Sequence, residues 1–362
     1  MKNALSLILI IYSIFIIGCD TTLRPARGIE NEIIVFADST EFEELKVSLE
    51  QVFEREIETP QPEKIFELKR VNYSDFQKYR AIKNLIFIAP FNSDHEMAKF
   101  IKNSLDSTAT VQIKNKEVSY ILKKDLWAIG QLVLLLTSPT LSELEFELVK
   151  NGNKLSYAFQ KASDARLLTT IYNARYEQKN VEAKLLRDYG WMIYVQADFT
   201  LAMNRSDEKF VWLRRSPNSD MERWIFIHWI DDASPSMLNR DAIMSIRNKL
   251  TEKFYQTSDD KYFVTIADSI INTTEINFNN RYAIYSQGLW RTTDKYMGGP
   301  FVSYTFYDEK TGRIYMVDGS IYAPKYYKRN LIQQVDVILQ SFLTESEIST
   351  ERKESLFEAI DD

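Results

Sequence analysis

The chain has 362 residues, too long for one ordinary domain and comfortable for two. With 45% hydrophobic and 27% charged residues it is neither disordered nor a polytopic membrane protein, and its net charge of −6 argues against nucleic-acid binding. A single Cys excludes internal disulfides, multi-thiolate zinc sites and iron–sulfur clusters, two His leave no multi-His centre, and neither metal nor cofactor is expected.

The N-terminus reads as an address. Met1-Lys2-Asn3 is a short basic segment, and 4–17 is apolar and uncharged. That run is shorter than the ~20 residues that span a bilayer and fits the apolar core of a signal peptide over 1–18. Gly18 suits a signal-peptidase pocket. Cys19, the only Cys, stands where a bacterial lipobox places its lipidated thiol. Diacylglyceryl and N-acyl (palmitate-type) chains on Cys19 would anchor the protein, since each buried methylene contributes about 0.8 kcal/mol. Residues 19–31 lack periodicity and read as a tether.

A first α+β unit is expected over 32–152. Residues 33–36 form a short apolar strand. Phe42, Leu45, Leu49, Val52 and Phe53 then recur at helical spacing, with Ser39 or Thr40 as N-cap. Pro60 and Pro62 close that element. Strands are expected over 65–71, 84–89, 118–122 and 131–137, and a helix over 95–105. Residues 153–189 contain no Gly or Pro, and Leu155, Ala158, Phe159, Ala162, Ala165, Leu168, Tyr172 and Tyr176 fall three or four apart save for one adjacent pair. This predicts a connecting helical segment, either one long helix or two with a break near Ser163, whose basic residues form a solvated face.

A second α+β unit is expected over 190–343. Strands are read at 190–195, 210–215, 224–230, 262–267, 275–278 and 282–291, and a helix at 241–254. The pair 301–308 and 313–323 reads as a hairpin, with Glu309-Lys310-Thr311-Gly312 as its turn. Leu331, Val335, Ile338, Leu339 and Phe342 mark a closing helix. Residues 344–362 are acidic, with scattered apolar residues, and are expected to fray as a flexible tail. The abundance of aromatics favours strands. The fold class is α+β in two abutting mixed units, the C-terminal one dominated by antiparallel sheet.

Catalytic motifs are scarce. The chain has no Gly-rich phosphate loop, nucleophile elbow or His-Glu-x-x-His. His95 lies beside Asp94 and Glu96 and reads as exposed. His228 lies in an apolar strand and reads as a buried, hydrogen-bonded side chain, or as a general base paired with Asp231 or Asp232. Asp294, Asp308 and Asp318 offer carboxylates of the glycosidase kind, although Asp308 starts a turn and Asp318 precedes a Gly.

One stretch is richer than its surroundings: Gly288-Leu289-Trp290-Arg291-Thr292-Thr293-Asp294-Lys295-Tyr296-Met297-Gly298-Gly299-Pro300-Phe301. Gly298-Gly299-Pro300 asks for a special backbone path into the hairpin. The hairpin's far strand ends at Tyr322-Ala323-Pro324, and Lys328-Arg329 opens the next helix. Trp290, Asp294, Gly298, Gly299, Tyr322, Lys328 and Arg329 are therefore the candidate binding residues, expected at one sheet edge with acid, base and aromatic together. Asp294 alternatively caps a turn or pairs with Arg329.

The same segment resembles the C-terminal signature of a Bacteroidota lipoprotein family known as domain of unknown function 4837. The resemblance continues through Val302-Ser303, Asp318-Gly319, Tyr322-Ala323-Pro324, Lys328-Arg329 and Gln333-Gln334. It extends more weakly to Lys124-Asp125-Leu126-Trp127-Ala128 and Phe210-Val211-Trp212, so that most of the mature chain is covered. Where such proteins carry acidic and basic residues early in the central helix, this chain has Ala162-Ser163-Asp164-Ala165-Arg166. The resemblance implies a lipid-anchored envelope protein and no assigned activity. The expected function is a non-enzymatic binding or assembly module facing the periplasm. Its membrane contact is made through Cys19, and its partner is an envelope protein, glycan or lipid. The alternative is a carboxylate-dependent hydrolase using acids near the Gly298-Gly299-Pro300 turn.

Overall fold

The computed structural model describes residues 23–217, 220–257 and 259–361. The expected signal peptide, Cys19 and the first part of the tether lie outside the described residues. Compactness divides the chain into two units. One takes the described residues through Ser48 together with Leu68–Gly152, and the other takes Leu49–Glu67 and everything from Asn153 onward. The boundary expected at 152 and 153 therefore omits an excursion: the 49–67 segment belongs with the C-terminal half.

In chain order the elements begin β1 (Glu32–Phe36), α1 (Ser39–Phe53), β2 (Glu56–Ile57), β3 (Glu63–Lys64) and β4 (Glu67–Val71). Then come α2 (Phe76–Tyr79), β5 (Asn84–Ile88), α3 (Glu96–Ser104), α4 (Ser107–Lys114), β6 (Tyr120–Lys124), β7 (Leu132–Leu136) and α5 (Leu141–Lys150). The first unit's sheet has the order β4-β1-β5-β7-β6. Strand β5 runs parallel to both β1 and β7, while β6 is antiparallel to β7. Parallel strands covered on both faces must be apolar throughout, and Ile33–Phe36 and Leu85–Ile88 are fully buried. Helix α5 was not expected, although its signal is plain. Thr140 and Glu143 cap each other reciprocally, and Leu144 and Leu148 fall on the buried face.

The second unit continues with α6 (Gly152–Ile171), α7 (Lys179–Tyr189), β8 (Trp191–Met192), β9 (Thr200–Arg205), β10 (Phe210–Arg215) and β11 (Glu222–Ile230). It closes with α8 (Arg240–Phe254), β12 (Val264–Phe278), β13 (Arg281–Thr292), β14 (Gly298–Asp308), β15 (Arg313–Tyr322), α9 (Arg329–Leu339), β16 (Leu343–Thr344) and α10 (Thr350–Asp361). Its seven-stranded sheet has the order β12-β13-β14-β15-β11-β10-β9 and is antiparallel throughout. Alternation along the strands serves two cores. Ile225, Val302, Tyr304, Val317 and Ile321 pack under α7 and α9, while Phe226, Trp290, Phe301 and Met316 pack under α8.

Four expectations need correction. The central helical segment breaks at 172–178, not near Ser163. The Tyr194 hydroxyl donates to the Ile171 carbonyl at 2.7 Å, and the Asn173 side chain accepts from the Arg175 N–H, so caps end the helix without Gly or Pro. Strand β12 runs unbroken where two strands were expected, with an irregular register between Ile266 and Ile271. Gly298-Gly299-Pro300 is not a turn but the start of β14; the turn lies before it. A Cβ on Gly299 would stand 1.9 Å from the Ile321 carbonyl oxygen, so glycine there lets two backbones meet. Finally, the acidic tail is ordered. Leu356 in α10 is buried with Ala183, Leu186, Met192 and Ile348. Arg352 pairs with Glu177 and Glu182, and Lys179 donates to Ser355. Arg352 thus ties the tail to Glu182 of α7 and to Glu177 just before it. No helix among the described residues is long and apolar enough to cross a membrane.

Candidate functional site

The structure spreads the seven residues singled out in the sequence over different surroundings. Trp290 is 1% exposed, and its indole N–H donates to the Ile321 carbonyl at 3.2 Å. Its ring packs on Trp224, and Tyr322 lies half-buried beside it. Gly298 and Gly299 pair with Arg291 and Trp290 across the β13–β14 ladder. These four do share one end of the sheet. Asp294 does not join Arg329: its carboxylate accepts from the Thr292 hydroxyl and the Tyr296 N–H, which hold it below the usual carboxylate range in an exposed turn. Lys328 and Arg329 open α9, and both of their backbone N–H groups donate to the Glu63 carboxylate at 2.8 Å. A carboxylate at a helix N-terminus is favoured by the unpaired N–H groups there.

The other titratable candidates are committed as well. His228 Nδ1 lies 2.8 Å from the Lys209 carbonyl, and burial lowers its pKa. Asp231 instead serves Lys209 and Arg313, so the His–Asp pairing does not form. Asp308 closes its turn by accepting from the Thr311 N–H and hydroxyl. Asp318 is buried against Arg247.

A concave feature lies on the face of the sheet covered by α6 and α9. Two adjoining hollows of about 460 and 560 Å³ share Gln160, Asp164, Tyr285 and Asp336. Strands β13 and β14 form the floor, α6 and α9 one wall, and residues 55–58 with part of β12 the other. Arg329 lines the first hollow, as do Pro300 and Phe301. The groove thus draws on the sequence's candidates only through Arg329.

Hydrogen bonds fix the acids in the groove. The Tyr304 hydroxyl donates to Asp336 Oδ1 at 2.6 Å, and the Gln340 amide donates to Oδ2 at 2.8 Å. The Gln333 amide donates to Asp164 Oδ1 at 2.9 Å. Burial, reinforced by the charge of Asp164, pushes Asp336 up to about 7. Burial likewise raises the phenols of Tyr285 and Tyr304 well above the ordinary range, so both remain protonated donors. Tyr285, Tyr304 and Phe278 make an aromatic wall with ring centroids 5.0 and 4.5 Å apart. The Tyr285 hydroxyl and the side-chain amides of Gln160 and Gln287 line the hollows and make no side-chain hydrogen bond among the described residues. Asp336 had one sequence signal: a carboxylate between Val335 and Val337, on a helix whose neighbouring positions are buried.

Residues 177–341 match the family model of a Domain of unknown function (DUF4837), and residues 26–172 match that of a second Domain of unknown function (DUF8532). The resemblance noted in the sequence therefore holds for the C-terminal half; the N-terminal half matches a different model. No curated protein matches the chain. Among solved structures, the Saccharomyces cerevisiae Ran-binding protein Mog1p is 12% identical with a TM-score of 0.31, covering 45% of this chain and 96% of that chain. A point mutant of protein Mog1 is 11% identical with a TM-score of 0.30, covering 45% of this chain and 94% of that chain. Likeness this slight carries no argument about the present chain.

Proposed function

We propose that the chain is a non-enzymatic binding module of the cell envelope, anchored by lipid on Cys19 and facing the periplasm. Its groove takes an uncharged, hydroxyl-rich ligand of the glycan class. The observation that carries this reading is the lining of the groove: unpaired amides and a phenol over an aromatic wall, with charges in balance. Arg55, Arg329 and Lys161 face Glu58, Asp164 and Asp336. A near-neutral hollow gives an anionic headgroup or a cationic peptide little to recognise, while amides and hydroxyls match sugar hydroxyls in both donor and acceptor sense. Binding is favoured over catalysis because the Tyr304 hydroxyl and the Gln340 amide hold both oxygens of Asp336 against the wall of the groove.

Glycan arrays and calorimetry with soluble peptidoglycan and envelope-polysaccharide fragments test the groove. Tyr285→Phe and Gln287→Ala should each weaken capture roughly tenfold, with melting temperature nearly unchanged. If no glycan is held, or both variants bind as the parent does, the groove reading is wrong. The anchor is tested separately. Cys19→Ser should abolish acyl labelling and release the chain from membranes, and mass spectrometry that finds Cys19 unmodified in membrane-derived protein would sink the lipoprotein reading.

A further inference from the structure

The first unit carries a second constellation at the carboxyl ends of its parallel strands. The order β4-β1-β5-β7-β6 takes the chain from β1 to one side and returns it to β5 on the other. In open α/β sheets, ligands bind in the crevice beyond two such strands. Asp38 and Glu41 follow β1, and Ser93 and His95 follow β5. His95 Nδ1 lies 3.1 Å from Glu41 Oε1 and 3.9 Å from Asp38 Oδ2, and one ligand atom from each of the three falls within 4.8 Å of the others. An ion about 2.0–2.2 Å from each of two donors keeps those donors roughly 3–4 Å apart, so these atoms stand near coordination spacing.

Glu41 supplies an independent observation. It is 7% exposed, and while Oε1 accepts from the Ser93 hydroxyl at 2.6 Å, Oε2 is buried without a hydrogen-bond partner. A buried carboxylate with one oxygen left without a donor is costly, and a cation bound to that carboxylate offsets part of the cost. Lys102 is not the missing donor, since its ammonium sits on the Ser93 carbonyl. Asp38 also lines a hollow of about 140 Å³ with Asn72, Ser74 and Glu96, which has room for water on an ion.

We infer that Asp38, Glu41 and His95 form a binding site for a first-row divalent cation, Zn²⁺ or Mn²⁺, with open positions toward that hollow. One imidazole with two carboxylates suits these ions, whereas Mg²⁺ and Ca²⁺ favour all-oxygen shells. The inference rests on the first unit alone and stands or falls apart from the glycan reading.

The test is calorimetric titration of Zn²⁺ and Mn²⁺ into the untagged full chain carrying Cys19→Ser, which removes the only thiol. One Zn²⁺ should bind with a Kd on the order of 10 μM or tighter, and Mn²⁺ more weakly. His95→Ala and Glu41→Gln should each weaken Zn²⁺ binding at least roughly tenfold. His95 is exposed, so its variant should melt with the parent when metal is withheld, which separates lost binding from lost folding. Absence of saturable Zn²⁺ binding, or a loss below about fivefold in His95→Ala, overturns the site.

Discussion

Replacing Asp318 with alanine should cost about 3–5 kcal/mol of stability and lower the melting temperature of the second unit by roughly 10 °C. The side chains of Arg247 and Asp318 are each 1% exposed. Arg247 Nε donates to Asp318 Oδ2 at 2.7 Å, while Nη2 reaches Oδ1 at 3.3 Å and Ser320 Oγ at 3.1 Å. The guanidinium lies 3.6 Å from the Phe301 ring centroid. Burial raises the Asp318 pKa even against the pull of Arg247, so the pair gives little net stability over an apolar core. Removing one partner is another matter. It strands a guanidinium whose Nη1 already lacks an acceptor. Adding Arg247→Met to Asp318→Ala should therefore recover much of the loss, because no buried charge remains. Urea denaturation of the two variants decides it: a double variant no more stable than the single one would show that packing, not stranded charge, sets the cost.

What the sequence revealed follows from what local pattern can encode. The β14–β15 hairpin stood out because two alternating apolar runs flank a turn ending in Gly312, which has φ of +67°. Strand β7 stood out because an uninterrupted Leu-rich run too short to span a membrane has little else to be. Helix α10 did not, since Leu356 becomes an anchor only through α7, which lies some 170 residues away in the chain. The candidate binding residues scatter for the same reason. Trp290 and the paired glycines read as chemistry, yet they solve a packing problem, namely the approach of β14 to Ile321. The groove gathers Arg55, Asp164, Tyr285 and Asp336 from four distant segments, and no spacing rule links them. The 38–41 and 93–95 clusters are likewise unremarkable until the parallel register of β1 and β5 sets their ends side by side.

The second large effect concerns pH. The stability of the second unit should fall as pH rises from 5 to 8, and Asp336→Asn should flatten much of that decline. In the unfolded chain Asp336 releases its proton near 3.8; in the folded chain, burial and the neighbouring Asp164 charge hold it to about 7. Between those values the folded state carries a proton the unfolded state has lost, so stability drops with rising pH and levels off once both forms are ionised. A displacement of that size corresponds to a few kcal/mol, at about 1.36 kcal/mol per pH unit. Glu182 is displaced the same way, to about 8, chiefly by burial, and should leave a residual slope in the variant. An amide at 336 keeps an oxygen for the Tyr304 hydroxyl and never ionises. Asp336→Asn should thus match the parent near pH 5 and exceed it by about 2–4 kcal/mol at pH 8, measured as urea unfolding at both values. Equal slopes in parent and variant would mean that Asp336 is ionised throughout. In that case its carboxylate is the constant third negative charge that balances Arg55, Arg329 and Lys161, and the groove stays near-neutral across that range.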